Sequence, residues 1–520
     1  MRPLRTVLVA NRGEIALRVI RACRELGLRS IAVYSDADAG APHARAADVA
    51  VRIGPAPATE SYLRGDHLIE VALAHGADAI HPGYGFLSER EWFARAVRDA
   101  GLIWVGPPAE AIAAMGSKTA ARTLAISAGT PVVPGTTTPL RDAAEAATLA
   151  AEFGYPVLLK AAAGGGGKGM RVVRTPDEVP GALEAARREA RNAFGDDAVY
   201  LEKFIEGPRH VEIQVLADAH GTCLALGERE CSIQRRHQKM IEEAPSIAVT
   251  PELRARMGDA AVAAARAAGY VNAGTCEFLL DRHGAFYFLE MNTRIQVEHP
   301  VTELVTGLDL VQWQLRIAAG ERLPFTEAPA PRGWAIECRI TSEDPATGFL
   351  PSTGRVTRLD LPSGPGVRWD GGIAVGSEVG LHYDPMLAKL IVHAPTRDAA
   401  IARMRRALDD LVIEGVVTSA DFHRRLMDDA AYQSGDVDIQ WLEARLPTFL
   451  AAVPDEATTR VLAVAAALLA ERSRSGAAPR RAAGVAGPTA TIGAPTVDAA
   501  DAVADSAWWH AARRDALGGA

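Results

Sequence analysis

The sequence predicts a mixed α/β protein of several domains that opens with a parallel α/β unit. Three observations carry that expectation. The chain has 520 residues, too many for one ordinary hydrophobic core. Its first stretch, to about Gly116, alternates short β runs with helical patterns, as parallel strands joined by helices do. From Met115 to about Leu323 strands and helices are mixed, with strong hairpin signals.

In the opening domain, expected at 1–116, the β runs are Thr6 to Ala10, Ser30 to Tyr34, Ala79 to His81 and Ile103 to Gly106, and Glu14 to Leu26 has a helical pattern. Its first β-to-helix turn, Asn11-Arg-Gly-Glu14, is not a dinucleotide fingerprint. A second domain is expected at 117–330. A third, at 331–446, is strand-rich from Gly333 and then helical around Ile401 to Leu411 and Thr418 to Asp428. The part from 447 to 520 is alanine-rich, with a helix expected at Glu456 to Arg472. There follow a Gly/Pro/Arg/Ala segment, Ser473 to Pro495, too poor in large apolar residues to pack a core, and a final stretch with Trp508 and Trp509.

Composition excludes several classes. With 48% apolar and 23% charged residues the chain reads as globular, and its longest late apolar run, Val461 to Ala470, is too short to cross a bilayer. Val7 to Ala10 is too short for a secretory signal, so a cytoplasmic location is expected. Cys23, Cys223, Cys231, Cys276 and Cys338 have no paired spacing, which points to reduced, mostly buried thiols. A net charge of −8 gives no nucleic-acid footprint.

Of the 56 basic residues only six are lysine: Lys118, Lys160, Lys168, Lys203, Lys239 and Lys389. In an arginine-rich chain such lysines are either surface accidents or sites that need a compact point donor to phosphate. Their surroundings favour the second. Val157 to Ala163 is a β run leading into Gly164-Gly-Gly-Gly-Lys168-Gly169, and Met170 to Arg174 reads as a returning strand. A Rossmann fingerprint needs a helix there, and a Walker loop needs Ser or Thr where Gly169 stands. What remains is a glycine hairpin, with Lys160 at its base and Lys168 at its tip. It suits a flap closing over phosphates and, taken alone, suits a floppy surface hairpin as well.

Thr275 to Leu280 and Ala285 to Asn292 flank a turn at Asp281-Arg-His-Gly284. A turn symmetric about Arg282 and His283 pairs Glu277 with Phe288 and puts Glu277, Leu279, Phe286, Phe288, Glu290 and Asn292 on one face. Carboxylates beside phenylalanines need a compensating cation, and an oxygen-only set favours magnesium or manganese; the alternative is an exposed face of solvated glutamates. Directly after, Asn292-Thr-Arg-Ile-Gln-Val-Glu-His-Pro300 gathers Arg294, Gln296, Glu298 and His299. That array suits a small anion and a base, or equally a helix cap or ion-pair cluster.

These segments, with Asn11 to Ala16, His81 to Glu89, Gly164 to Met170, Pro208 to Gln214, Gln234 to Lys239, Glu290 to Glu303, Glu337-Cys-Arg-Ile340 and Tyr383-Asp-Pro-Met386, resemble the biotin carboxylase family of biotin-dependent carboxylases. The likeness runs in one order over residues 1 to about 446 and is strongest to the α subunits of bacterial acetyl- and acyl-CoA carboxylases. It implies an ATP-grasp fold with an N-terminal Rossmann-like α/β domain, a mobile lid at about 131–203 and a C-terminal α+β domain. It also implies roles. Lys118, Lys160, Gly166, Gly167, Glu202, Lys203, Ile205, His210, Gln234 and His237 would bind ATP. Lys239, Arg294, Gln296 and the Val297 backbone would hold bicarbonate, with Glu298 as its base. Glu277, Glu290 and Asn292 would bind Mg2+ or Mn2+, and Arg339 and Tyr84 would face biotin. Two positions depart from the family pattern: Ala163 stands where a five-glycine run commonly begins, and Arg90 where Asn commonly follows Ser-Glu.

The implied chemistry is ATP-dependent carboxylation of biotin by bicarbonate through carboxyphosphate, with Lys239, Arg294, Glu298 and Arg339 catalytic. Another ATP-grasp ligase would lack the Gln234 to Lys239 and Asn292 to His299 motifs, and a catalytically dead subunit would not need Glu298, Arg294 and Arg339. The implied partners are a biotin carboxyl carrier protein and a carboxyltransferase subunit, with the chain itself a homodimer or larger assembly. No lysine follows Lys389 and no Met-Lys-Met occurs, so biotin is expected on a separate carrier. The final acyl-CoA is not written in these residues. The segment after Pro447 resembles the start of a carboxyltransferase-contacting region, either a docking remnant or disorder.

Overall fold

The computed structural model describes residues 4–161, 170–194, 196–450 and 456–475. Its first sheet is parallel, built from β1 (Thr6–Val9), β2 (Arg29–Ser35), β3 (Val49–Gly54), β4 (Ala79–His81) and β5 (Ile103–Trp104) in the order β3-β2-β1-β4-β5. Its strands are near-continuous apolar runs, as both faces of a covered parallel sheet require. Helix α1 (Gly13–Glu25) follows β1 directly: Gly13 takes φ +65° at the turn, and Gly27, at φ +68°, ends the helix after Leu26. Ile15, Ala16, Val19, Ile20 and Cys23, spaced three and four apart, are the buried face that packs on the sheet. Strand β3 was not among the expected runs. It is an edge strand whose exposed Ala50 and Arg52 break the apolar run that marks its neighbours.

A small unit of two helices packed on one sheet follows: α2 (Ala143–Phe153), β6 (Val157–Ala161), β7 (Met170–Val173), α3 (Val179–Phe194) and β8 (Val199–Lys203). The sheet order is β7-β6-β8, and Leu140, Ala146, Val157, Leu159, Val173, Leu183 and Leu201 form its own core. Pairing of Lys160 with Met170 makes β6 and β7 antiparallel neighbours, as expected of a hairpin; its glycine tip, with Gly166, Gly167 and Lys168, lies outside the described residues.

The largest sheet joins β9 (Arg209–Ala217), β10 (Cys223–Arg235), β11 (Gln238–Ala244), β12 (Asn272–Leu280), β13 (Phe286–Asn292), β14 (Trp334–Thr341), β15 (Val367–Gly371) and β16 (Met386–Ala394). All its pairings are antiparallel, in the order β13-β12-β9-β10-β11-β14-β16-β15. Helix α4 (Pro251–Ala267), capped by the Thr250 side chain, covers Val211, Ile213, Val215, Cys276 and Met291 on one face. Each such buried side chain contributes about 1.5–3 kcal/mol. Helix α5 (His299–Thr306) packs on β10, β11, β14 and β16, and α6 (Arg397–Asp410) and α7 (Ala420–Asp428) close the C-terminal side.

The β12–β13 register corrects the expected one. The turn centres on His283, so Leu280 faces Phe286 and Phe278 faces Phe288; a bulge at Leu289 then brings Glu277 opposite Glu290. One extra residue flips the alternation. Phe278, Phe286 and Phe288 therefore belong to the core, with edge-to-face ring contacts, and they do not flank the glutamates.

Residues 1–449 form one compact unit and 450–520 a second, in which α8 (Glu456–Ser475) is the described element, close to the helix expected at Glu456 to Arg472. Val461, Leu462, Val464 and Leu468 on it are exposed. Among the described residues no helix is long and apolar enough to cross a membrane. All five cysteines are free and buried, and burial pushes the Cys23 thiol up to about 12 and raises the others.

Candidate functional site

The face of the large sheet turned away from α4 opens into a cavity of about 800 Å3. Its wall gathers Lys160, Glu202, His210, Gln234, His237, Lys239, Glu277, Glu290, Asn292, Arg294, Gln296, Val297, Glu298, Arg339 and Tyr84. Residues scattered over more than 250 positions of sequence thus meet at one place. Lys203 and Ile205 are not in this wall. The Lys203 ammonium donates to the Gly154 and Tyr155 carbonyls at 2.7 and 3.1 Å. Lys118 begins a helix, Lys118–Ser127, and its side chain lies outside the described part.

Strand alternation builds the site. On β9, Val211, Ile213 and Val215 face the core, so His210, Glu212 and Gln214 face the opposite way. Strands β10 and β11 meet in a two-residue turn, with Gln234 opposite Lys239 and Arg235 opposite Gln238. Arg236 and His237 both take positive φ, +49° and +64°, a hairpin geometry that normally selects Asn and Gly. Non-glycine residues hold it at the cavity rim, where local strain commonly serves a site.

At the centre, the Lys239 ammonium donates to Glu212, Glu298 and Glu277 at 2.5, 2.6 and 3.0 Å. Arg339 donates to Glu242 at 2.6 Å and to Glu298 at 3.0 Å. Burial opposes ionisation of Glu298, but Lys239, Arg339 and Arg229 outweigh it and hold the carboxyl well below its ordinary range. Glu277 is lowered in the same way by Lys239 and His210, and Lys239 is raised by its three carboxylates against the cost of burial. Glu242 goes the other way: burial lifts it to about 7, only partly opposed by Arg339.

Arg229, fully buried, is the brace beneath. Its Nε donates to Glu212 at 2.5 Å, one terminal nitrogen to Gln214 and Thr302 at 2.6 and 3.0 Å, and the other to Thr275 and Gln296 at 3.0 and 2.8 Å. All five guanidinium donors are used. Because Gln296 gives its oxygen to Arg229, its amide nitrogen is aimed at Glu277, 2.8 Å away. Arg294 lies at the rim, donating to Glu89 at 2.9 Å and to the Asn292 oxygen at 3.1 Å.

For a divalent cation, Glu277 and Glu290 stand directly across the β12–β13 pair, with Asn292 two residues on along the same face. This oxygen set fits Mg2+ or Mn2+. Among the described residues, the groups already close enough together to share an ion are His210, Glu212 and Glu277, and Glu212, Cys231 and Glu298; the Lys239 ammonium reaches Glu212, Glu277 and Glu298 of these and supplies the positive charge there. Glu212, Arg229, Glu242 and Glu89 were not among the expected site residues. The signal for Glu212 was present, since it alternates with His210 and Gln214 inside an apolar strand.

Comparison with known proteins gives a consistent result. Residues 3–112 match the family description "Biotin carboxylase, N-terminal domain", 117–326 match "Carbamoyl-phosphate synthase L chain, ATP binding domain", and 337–444 match "Biotin carboxylase C-terminal domain". The chain is 50% identical over 442 residues to biotin carboxylase 1 of Bacillus subtilis, covering 85% of this chain and 98% of that one. It is 48% identical over 485 residues to the propionyl-CoA carboxylase alpha chain of Ruegeria pomeroyi, covering 89% and 71%. Its fold is similar to the biotin carboxylase domain dimer of Hydrogenobacter thermophilus 2-oxoglutarate carboxylase, solved with MgADP, ADP and bicarbonate, with a TM-score of 0.80, 47% identity, and 87% and 100% of the two chains covered.

Proposed function

This chain belongs to the biotin carboxylase family and carries out its reaction, ATP-dependent carboxylation of biotin by bicarbonate through carboxyphosphate, and we propose that the cavity over β9 to β14 does so with the residues named here. The fold is ATP-grasp. The observation that carries the residue assignment is Glu298, a buried carboxylate held between the Lys239 ammonium and the Arg339 guanidinium.

Bicarbonate enters beside Arg294, Gln296 and the Val297 backbone. As an anion it competes with Glu298 for Lys239 and Arg339. Each cation that turns toward the substrate lifts the proton affinity of Glu298, which then takes the bicarbonate proton. The carbonate oxygen attacks the γ-phosphorus of ATP, giving carboxyphosphate and ADP. ATP lies against Lys118, Lys160, Glu202, His210, Gln234 and His237, with Lys203 and Ile205, outside the cavity wall, framing the adenine from behind Glu202, and Gly166 and Gly167 would close over its phosphates. Glu277, Glu290 and Asn292 would hold Mg2+ or Mn2+, which neutralises phosphate charge when bound. Carboxyphosphate yields carbon dioxide and phosphate; the phosphate takes the biotin ureido proton while Arg339 steadies the resulting anion beside Tyr84, and the ureido nitrogen then bonds to the carbon dioxide to give carboxybiotin.

The four-part division at 116/117, 330/331 and 446/447, a cytoplasmic setting, a biotin carboxyl carrier protein and carboxyltransferase as partners, and a dimer or larger assembly belong to the same proposal. Glu298→Gln tests its centre. Bicarbonate-dependent ATP cleavage should fall about 100-fold or more while ATP binding stays near wild type. A variant turning over at the wild-type rate would remove Glu298 from the mechanism.

A further inference from the structure

Five of the six lysines carry expected or observed roles around the nucleotide and bicarbonate, and the sixth, Lys389, lies beneath the cavity on β16, fully buried. An ammonium there needs a reason, since burial of an unpaired cation is strongly unfavourable. Its Nζ donates to the Val297 carbonyl at 2.8 Å and pairs with Glu14 at 3.3 Å. Asp370 stands further off at 4.0 Å and is already engaged by Arg368 at 2.7 Å, which makes Glu14 the main counter-charge of Lys389.

Glu14 has a second partner. The Tyr84 hydroxyl donates to Glu14 Oε1, the same oxygen that Lys389 faces. The carboxylate rides on the first turn of α1, and that turn is pressed against the end of β15: a Cβ added at Gly372 would come within 2.7 Å of the Glu14 backbone nitrogen. Glu14 therefore sits on a fixed platform between two walls of the cavity.

We infer that Glu14 and Lys389 are positioning residues that tie the Tyr84 wall, where biotin is read to lie, to the loop that carries the catalytic base. The Val297 carbonyl belongs to the peptide that leads into Glu298, so the Lys389 ammonium fixes the direction in which the Glu298 side chain leaves the backbone. Tyr84 is oriented by the same carboxylate. Neither Lys389 nor Glu14 touches substrate; one charge-assisted link holds both substrate subsites in register. The inference rests on the assignment of Tyr84 to biotin and of Val297 and Glu298 to bicarbonate given above.

The test uses the full chain with Glu14→Gln, which keeps the shape and removes the charge. The KM values for bicarbonate and for biotin should rise together, by about tenfold, short of the ~100-fold that follows a 1 Å misplacement of reacting groups, while the KM for ATP stays unchanged. Glu14→Gln combined with Lys389→Met, which removes both charges of the pair, should shift the same two constants in the same direction. A merely structural role would lower the melting temperature and leave both constants in place, and that result, or movement of one KM alone, overturns the link. Glu298→Gln run alongside separates the two ideas: if it abolishes bicarbonate-dependent ATP cleavage while Glu14→Gln moves neither KM, the link fails and the site assignment stands.

Discussion

The parallel sheet at the start of the chain and the antiparallel sheet at its centre are buried to a similar degree by opposite means. Strands β1, β2 and β4 bury Val7, Leu8, Val9, Ile31, Ala32, Val33 and Ile80, side chains that need only shape and dry neighbours. Strands β9, β10, β11 and β14 bury Glu212, Gln214, Arg229, Glu230, Glu242, Glu243 and Glu337 among their apolar residues, with Lys239 half-buried beside them. Taking such groups out of water is unfavourable unless every charge is matched and every donor used, and breaking one match leaves the rest stranded. The first sheet is a platform that tolerates substitution; the second is a charge network whose members depend on one another. The difference locates the chemistry: binding and proton transfer need fixed charges in a low dielectric, and only the second sheet offers them.

Arg229→Met is the severest way to probe that contrast. It takes from Glu212 one of its two cationic partners, leaving Lys239, and frees Gln296; it should lower unfolding free energy by about 3 kcal/mol, with Glu212→Gln recovering part of the loss, and urea denaturation measures both. A cost below about 1 kcal/mol would erase the distinction between the sheets. Glu290→Gln removes one of two facing carboxylates, and should raise the magnesium concentration for half-maximal activity by about tenfold; an unchanged titration curve would detach β13 from the metal.

Glu337 sharpens the comparison through pH. It stands directly across from Glu242, neither of its oxygens finds a hydrogen-bond partner among the described residues, and burial raises its carboxyl well above the ordinary value. The folded state therefore keeps a proton that the unfolded chain gives up. That stability is complete below the ordinary carboxylate range near 4.5 and is lost as pH rises through the raised values, about 7 for the neighbouring Glu242. The wild-type melting temperature should fall from pH 6 to pH 8.5, and Glu337→Gln should flatten the fall, recovering about 1 kcal/mol or more at the alkaline end. An equal decline in both proteins would show that Glu337 titrates normally. Smallest of all, Ile80→Val in β4 should cost about 1 kcal/mol and leave kcat unchanged. A loss of activity there would mean that the first sheet is more than a platform.

The same contrast decided how much could be read from sequence. The apolar runs at Thr6, Ser30 and Ala79 announce themselves, and the helix at Gly13 follows from its spacing. The shared facing of His210, Glu212 and Gln214 could be read in the same way, because β9 pairs without interruption along its length with β12, although only His210 was expected at the site. Arg229 was not. A register shift between Ala225 and Glu228 changes the facing of β10 just before it, and the bulge at Leu289 does the same on β13. Simple alternation fails wherever a strand gains a residue, and the gain on β13 lies at the cavity wall. Lys389 shows a further limit: its rarity marked it, but its partners Glu14 and Val297 are distant in sequence and no local pattern joins them.

The buried thiols have a practical consequence. With all five cysteines enclosed and their protons held tightly, the thiolate that alkylating reagents attack is scarce and out of reach. The native chain should therefore be nearly silent toward maleimides. A single cysteine placed at exposed Glu178 beside the hairpin unit, and another at exposed Asp421 on α7, would then be the sole labelling points for a donor and acceptor dye. Any movement of the α2–β8 unit during turnover would become an optical signal, with no native residue to be removed first.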